Sequence, residues 1–164
     1  MNLLLWRHAE AVDLGIPVTP GSKRDLERTL TEKGRKQAQS TAQWLQKNVK
    51  RKIRVFSSPA LRALQTARAY TEHPEIINDL NPLADASHVM AAIKWPQGDD
   101  VLIVGHQPWI GRIASLLLCG QEQDWSVKKS SIWWISHRIR EQEQLAKSQT
   151  TLRLVLPPDL IHKV

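Results

Sequence analysis

Apolar runs alternate with segments of helical periodicity along most of the chain. Continuous apolar residues over Asn2–Trp6 and Val101–Val104 predict two strands that are buried on both faces. Ile53–Ser57 alternates in polarity and predicts a further strand. Strands separated by helical segments favour a largely parallel sheet covered on both faces.

Helix signals lie between these strands. Thr31 is a candidate N-cap for a helix whose apolar positions recur at helical spacing: Ala38, Ala42, Leu45 and Val49. Ser58-Pro59 predicts a second helix, with Ser58 as N-cap and Pro at the first helical position. Pro108 opens a third helix, and Gly120 is placed to end it.

Two further regions complete the predicted fold. Ala9–Leu30 contains two prolines and two glycines and predicts a long loop. Ser131–Arg138 and Thr151–Leu156 predict two strands of a hairpin, joined by the polar loop Arg140–Gln149. We therefore expect one domain over residues 1–164, an α/β fold in the form of a three-layer α/β/α sandwich with a mostly parallel central sheet.

Charge narrows the set of partners. The net charge of +7 favours an anionic partner, whether a nucleic acid, an acidic protein or a phosphorylated substrate. The basic residues are dispersed except for one cluster at a predicted helix end, where cations suit the helix dipole: Lys47, Lys50, Arg51, Lys52 and Arg54. The chain lacks a basic-aromatic stripe and zinc-finger spacing, so we expect no nucleic acid partner. The sequence leaves the oligomeric state open.

The cellular compartment follows from two features. Cys119 is the only cysteine, which excludes an internal disulfide and favours a reducing compartment. The first residues have no basic region, and their apolar run is too short for a signal peptide or a membrane span. We therefore expect a cytoplasmic protein without a membrane partner.

Chemically distinctive residues fall where the predicted strands end. Arg7-His8 follows the first strand, Ser58 and Arg62 follow the second, and His106 follows the buried Val101–Val104 strand. Ligands of open α/β sheets bind at the carboxyl ends of the strands, so these side chains would meet at one edge if the strands are parallel neighbours.

Arginine and histidine together suit a phosphoryl ligand. The guanidinium group pairs with two phosphate oxygens, and a neutral imidazole can attack phosphorus. Such a site needs no metal and no cofactor, and the remaining histidines show no metal-ligand spacing. The pattern predicts phosphoryl transfer.

Four segments carry a family resemblance. Leu5–Ala11 resembles the Arg-His-Gly signature of the histidine phosphatase (phosphoglycerate mutase-like) superfamily, with Ala9 in place of the glycine. Ser57–Ala67 resembles its second motif, Ser-Pro-x-x-Arg-Ala-x-Gln-Thr-Ala, and Val104–Pro108 resembles its third motif. Arg28–Gly34 resembles the Arg-x-Leu-Thr-x-x-Gly segment common in these enzymes. The short chain is most similar to the SixA-type phosphohistidine phosphatases.

The resemblance implies a metal-independent mechanism and a phosphoglycerate mutase-like fold. His8 would be the nucleophile that forms a phosphohistidine intermediate, and Arg7 and Arg62 would bind the phosphoryl oxygens. His106 would stabilise the transition state. The substrate contacts would be Arg28, which the family segment contains, and Ser58.

The general acid is the weakest part of the match. Many superfamily members carry a carboxylate after the second motif, and the candidate here is Asp85, with Asp79 as the alternative. Because an alkoxide needs protonation to leave and an imidazole leaves more easily, the lack of a firm acid favours a phosphohistidine-bearing protein as substrate.

Two alternatives remain open at the level of sequence. A superfamily phosphatase for a small phosphoester would differ only in substrate. A non-catalytic module would keep the pocket to recognise phosphorylated partners, although such a module would not need the His8 nucleophile.

Overall fold

The computed structural model describes residues 1–142 and 145–163. Within these ranges it describes every side chain except those of residues 139–142, 145–148 and 162–163. Its strands form one mixed sheet of six, in the order β3-β2-β4-β1-β5-β6. They are β1 (Asn2–Arg7), β2 (Ile53–Ser57), β3 (Glu75–Ile76), β4 (Asp100–Gly105), β5 (Ile132–Gln142) and β6 (Leu145–Leu156). β4 pairs in parallel with β1 and β2, and β2 with β3, whereas β5 is antiparallel to both β1 and β6.

Helices connect the strands. They are α1 (Lys23–Leu26), α2 (Glu32–Asn48), α3 (Leu61–Arg68), α4 (Ala86–Ile93) and α5 (Trp109–Cys119), with 3-10 turns at Asn78–Leu80 and Pro158–Lys163. As predicted, Thr31 caps α2 by accepting a hydrogen bond from the Gly34 N–H, and Gly120 ends α5 in the left-handed conformation. None of the described helices is both long and apolar enough to cross a bilayer.

Side chains along the central strands point alternately to the two faces of the sheet, so each face has its own hydrophobic core. Leu3 and Leu5 of β1 pack with α4 and α5, whereas Leu4 and Trp6 pack with α2 and α3. Successive strand side chains point to opposite faces, so a strand that is apolar throughout must be covered twice. The three-layer α/β/α sandwich with a mostly parallel central sheet is confirmed.

Three local predictions need correction. Ser58 does not cap α3, because the cap residue is Ala60 and the helix begins at Leu61. The predicted loop Ala9–Leu30 contains the short helix α1, which Ser22 caps by accepting from the Asp25 N–H.

The third correction concerns the hairpin. β5 and β6 extend well into the predicted loop Arg140–Gln149, of which residues 143 and 144 lie outside the described residues. Beyond Ser136 the β5 strand has passed the end of β1, so the two strands continue as a ribbon. The sequence from His137 to Thr150 has no apolar alternation that could have predicted these longer strands.

Candidate active site

The carboxyl ends of three parallel strands form one edge of the sheet. The His8 N–H at the end of β1 donates to the Gly105 carbonyl of β4 at 2.9 Å. The Ser58 N–H at the end of β2 donates to the Val104 carbonyl at 3.0 Å. Because β4 lies between β1 and β2, His8, Ser58 and His106 leave the sheet side by side, as the sequence predicted.

Residues of the second motif hold the backbone around His8 in place. The Thr66 hydroxyl accepts a hydrogen bond from the Ala9 N–H at 3.1 Å, directly after His8. The Gln65 side-chain oxygen accepts from the Leu30 N–H at 2.8 Å. The Gln-Thr pair therefore ties α3 to two other segments. Ala9, which replaces the usual glycine, has no positive φ and so carries no left-handed strain.

Two glycines of the motifs are explained by close packing. A Cβ on Gly34 would overlap the Glu10 carbonyl, so only glycine lets α2 approach the segment after His8. A Cβ on Gly105 would overlap the indole of Trp109, which is fully buried. Trp109 therefore packs behind the site.

The ring of His8 is held in one orientation. Its Nδ1 lies 2.8 Å from the Ala9 carbonyl oxygen. A carbonyl can only accept, so Nδ1 carries the proton and the neutral ring has its lone pair on Nε2. The Arg62 Nε–H faces that lone pair at 3.3 Å.

Electrostatics keep both histidines neutral. Burial, together with the positive charges of Arg62 and Arg7, lowers the pKa of His8 to about 3, although the hydrogen bond to Ala9 opposes the shift. Burial also holds the pKa of His106 well below its usual range, and His8 and the arginines act in the same direction. At neutral pH the His8 ring is therefore uncharged, as a nucleophile must be.

Arg62 is positioned by a carboxylate that the sequence did not single out. Its NH1 donates to the Asp25 carbonyl at 2.6 Å, and its NH2 donates to Asp25 Oδ2 at 3.1 Å. The side chains of Arg62 and Asp25 are only 5% and 6% exposed. Burial opposes ionisation of Asp25, but the Gly21 N–H and the charge of Arg62 outweigh it and hold its pKa below the usual range.

The other two arginines approach from different segments. Arg28 donates to Asp25 Oδ1 at 3.3 Å and to the Val12 carbonyl at 2.9 Å. Arg7 donates through NH1 to the Val127 carbonyl. The buried Arg7 Nε has no hydrogen-bond partner among the described residues. Asp25 therefore orients two of the three arginines.

His106 and Ser58 form a pair beside His8. Nε2 of His106 lies 2.7 Å from the Ser58 hydroxyl oxygen, which also accepts from the Ala60 N–H at 3.2 Å. The rings of His8 and His106 are 5.1 Å apart between centroids. The buried Nδ1 of His106 has no hydrogen-bond partner among the described residues.

These side chains border an open cleft of about 350 Å³. Its walls are Arg7, His8, Pro20, Asp25, Arg28, Arg62, Pro82, Leu83, His106, Gln107, Pro108 and Lys129. Five of the residues predicted for the site, His8, Arg7, Arg28, Arg62 and His106, thus line one cleft, and Ser58 contacts it through His106. Lys129 and Asp25 are lining residues that the sequence analysis missed.

The candidate general acids lie elsewhere. Asp85 precedes α4 and is not among the cleft residues. Its side chain is 69% exposed and lies 3.6 Å from His88. Asp79 is also exposed and outside the cleft. The structure does not bring either carboxylate to His8, so the role predicted for Asp85 lacks geometric support.

Among the residues that the structure describes, no three His, Cys, Asp or Glu side chains are grouped as a metal site would require. The cations that border the cleft are instead side chains of the protein itself.

Comparison with known proteins is consistent with this geometry. The family model of the histidine phosphatase superfamily (branch 1) matches residues 3–83. An uncharacterised protein of Picosynechococcus is 31% identical over 129 residues, which cover 74% of this chain and 75% of that protein.

Solved structures match almost the whole chain. The protein histidine phosphatase SixA complexed with tungstate is 25% identical, with a TM-score of 0.72 over 97% of this chain and 98% of that one. A putative SixA from Agrobacterium tumefaciens is 20% identical, with a TM-score of 0.69 and coverage of 96% and 97%. A phosphoserine phosphatase mutant from Entamoeba histolytica is 17% identical, with a TM-score of 0.66 and coverage of 94% and 95%, which shows a shared fold.

The chain belongs to the histidine phosphatase superfamily, and within it resembles the SixA proteins. Membership and these neighbours support a phosphatase, that is, a hydrolase of phosphoryl groups.

Proposed function

We propose that this chain is a phosphohistidine phosphatase that acts on a protein substrate through a covalent intermediate on His8. The observation that carries the proposal is the His8 ring itself. It is neutral, its Nδ1 is bonded to the Ala9 carbonyl, and its Nε2 lone pair faces the guanidinium of Arg62. That geometry supports attack by Nε2 on phosphorus.

The chemistry has two steps. In the first, a bond forms between His8 Nε2 and phosphorus while the bond between phosphorus and the substrate's imidazole nitrogen breaks. In the second, a water oxygen attacks phosphorus, His8 Nε2 leaves with its lone pair, and both water protons stay with the orthophosphate, which is released as dihydrogen phosphate. His8 thereby returns to its starting state.

Cations around the nucleophile support the charge stabilisation that this reaction needs. Arg7, Arg28 and Arg62 border the cleft together with His106. A phosphoryl oxygen would give the buried Arg7 Nε the acceptor that it lacks within the described protein. Preorganised donors of this kind stabilise the charge on the phosphoryl group in the transition state of its transfer.

The carboxylate content of the cleft indicates which leaving group the site can expel. Among the described residues, Asp25 is the only carboxylate lining it, and Asp25 stays ionised in contact with two arginines. An alkoxide would require a proton from such a group. A phosphohistidine protonated on its other ring nitrogen leaves as neutral imidazole and requires none, so phosphohistidine is the favoured substrate.

The rim suits a large substrate. Leu83 lines the cleft and is 66% exposed, and the exposed Lys129 lies on the same cleft. Both would be available to a protein that presents a phosphorylated side chain.

We further propose a cytoplasmic location, because the exposed thiol of Cys119 suits a reducing compartment.

Phosphate release in EDTA tests the proposal. The substrates are a phosphohistidine-bearing protein, a phosphoserine peptide with an alkoxide leaving group, and p-nitrophenyl phosphate, whose leaving group needs no acid. We expect release from the first and third that the His8→Ala variant abolishes, with little release from the phosphoserine peptide. Release mainly from phosphoserine would instead support a small-phosphoester phosphatase. Binding without turnover would support a phospho-binding module.

A further inference from the structure

A second cavity lies at the opposite end of the sheet from His8. It has a volume of about 530 Å³, within the range of small-ligand sites. Asn2 and Asp100 border it at the amino ends of β1 and β4. Since the six residues of β1 separate this end from the nucleophile, the two cavities are roughly 20 Å apart at the usual rise per residue.

The floor of this cavity is a closed hydrogen-bond network. The Asn2 N–H and side-chain amide donate to the two carboxylate oxygens of Asp100, both at 2.7 Å. The Trp134 indole N–H donates to the Asn2 side-chain oxygen at 2.9 Å. Asp100 is thus held in the floor.

The walls are basic. Arg138 and Arg153 project from the hairpin of β5 and β6, and Lys50 and Arg51 from the segment between α2 and β2. None of these four side chains forms an ion pair with a carboxylate of the described side chains. Four cations therefore line a cavity that contains one carboxylate, and the hydrogen bonds of that carboxylate are directed to Asn2.

Helix electrostatics explain only part of this set. Lys50 and Arg51 follow the carboxyl end of α2, where cations stabilise the helix dipole without any ligand. Arg138 and Arg153 lie on strands and have no such role.

Arg153 is placed by a bulge in β6. Trp134 pairs with Leu154 but Ile135 pairs with Leu152, so Arg153 is the extra residue between them. Bulges redirect a side chain and are frequent beside functional sites. Here the Arg153 guanidinium carbon lies 4.5 Å from the centroid of the Trp134 ring, which holds the side chain at the cavity wall.

We propose that this cavity binds the polyphosphate group of a small anion. Guanidinium groups recognise phosphate oxygens in pairs, and four cations suit a ligand with several phosphate charges better than a single orthophosphate. Trp134 is only 9% exposed and offers little surface for stacking a base. Recognition would rest on charge, so inorganic and nucleoside polyphosphates would share the site.

Isothermal titration of the full chain with sodium tripolyphosphate and with ATP, both in EDTA, tests the proposal. Because the catalytic cleft also attracts phosphate, the Arg62→Ala variant serves as the background. The Arg138→Ala/Arg153→Ala pair is added to it and compared with Lys36→Ala/Arg68→Ala, which removes the same charge from exposed positions away from this cavity. Orthophosphate is the single-phosphate probe.

We expect both polyphosphates to bind the background protein. The Arg138/Arg153 pair should weaken that binding at least about tenfold, whereas the matched pair should leave it within about twofold. Orthophosphate should bind more weakly than either polyphosphate, and added salt should weaken all binding. Phosphatase turnover of the Arg138→Ala/Arg153→Ala chain should be unchanged. Equal losses in the two pairs, or no binding in the background protein, would overturn the proposal.

Discussion

Nε of Arg62 lies 3.3 Å from Nε2 of His8, and the same guanidinium donates through its other two nitrogens to Asp25. The guanidinium of Arg62 therefore faces His8 and is anchored from behind by a buried carboxylate. The pairing keeps Arg62 oriented before any substrate arrives, which is the preorganisation that charge stabilisation requires. We infer that Asp25 is a positioning residue for Arg62 and Arg28.

Removing the charge of Asp25 should impair both stability and turnover. Asp25→Asn leaves Arg62 buried without its counter-ion, so we expect the free energy of unfolding to fall by about 3 kcal/mol. We expect kcat/KM to fall about 10- to 100-fold, with KM raised, because two arginines lose their orientation. Steady-state kinetics and urea unfolding measure these effects.

The neighbouring Asp13 supplies the control for that experiment. It is exposed in the segment between β1 and α1, so Asp13→Asn should change the unfolding free energy by no more than about 0.5 kcal/mol. If Asp25→Asn behaved like Asp13→Asn, the positioning role would be wrong.

Arg62 itself should contribute chiefly to the transition state. Arg62→Ala is expected to cost about 2–4 kcal/mol, mainly in kcat, because a preorganised charge is lost. Arg62→Lys keeps the charge but not the planar fork, so its kcat should lie between those of the unmodified chain and Arg62→Ala. Discontinuous assays of phosphate release from a phosphohistidine-bearing protein give kcat and KM for each variant. A loss confined to KM would show that Arg62 binds the ground state only.

Acid should destabilise the fold through His8. Because the pKa of His8 is lowered to about 3 from an unfolded value near 6.5, the unfolded chain binds a proton between these pH values that the native chain does not. The unfolding free energy should therefore fall as the pH drops from about 6.5 towards 3. His8→Asn should reduce that slope by up to about 1.4 kcal/mol per pH unit. Equal slopes in the two proteins would contradict a buried neutral His8.

Asp25 contributes over a lower range of pH. Its pKa is lowered in the folded state, so its stabilisation is complete above the unfolded value near 3.9 and is lost as the pH falls through the folded value. Unfolding measured from pH 5 downwards should therefore show a smaller loss in Asp25→Asn than in the unmodified chain.

The strand ends could be predicted because burial marks them in the sequence. β1 and β4 are apolar on both faces, so their runs stop where Arg7 and His106 begin the site. The family motifs then related His8, Arg62 and His106 to one ligand. Parallel pairing of β4 with both neighbours is what makes those ends converge.

Other parts of the site leave no local signal. Asp25 lies in a segment that reads as a loop, and its partner Arg62 is distant in sequence, so nothing in the local pattern distinguishes it from a solvated acid. Serine before proline is typical of a helix N-cap, yet the Ser58 hydroxyl is hydrogen-bonded to His106 and α3 begins after Ala60. Such roles are decided by tertiary contacts.

Gly34 should not tolerate a larger side chain. A Cβ there would overlap the Glu10 carbonyl, a backbone atom that cannot rotate away, so Gly34→Ala should destabilise the fold by about 1–3 kcal/mol. Displacement of Glu10 should also shift the segment after His8 and lower kcat. Lys36→Ala, an exposed change on the same helix, is the control and should stay within about 0.5 kcal/mol. Unchanged melting of Gly34→Ala would contradict this packing.

Direct detection of the phosphorylated enzyme tests the central claim. The protein is mixed with a phosphohistidine-bearing substrate, quenched within milliseconds under alkaline conditions that preserve phosphohistidine, and digested for mass spectrometry. We predict one phosphoryl group, on the peptide that contains His8, which appears before orthophosphate accumulates and is absent in His8→Ala. Full turnover with no phosphoryl group on His8, or turnover that survives in His8→Ala, would contradict covalent catalysis by this residue.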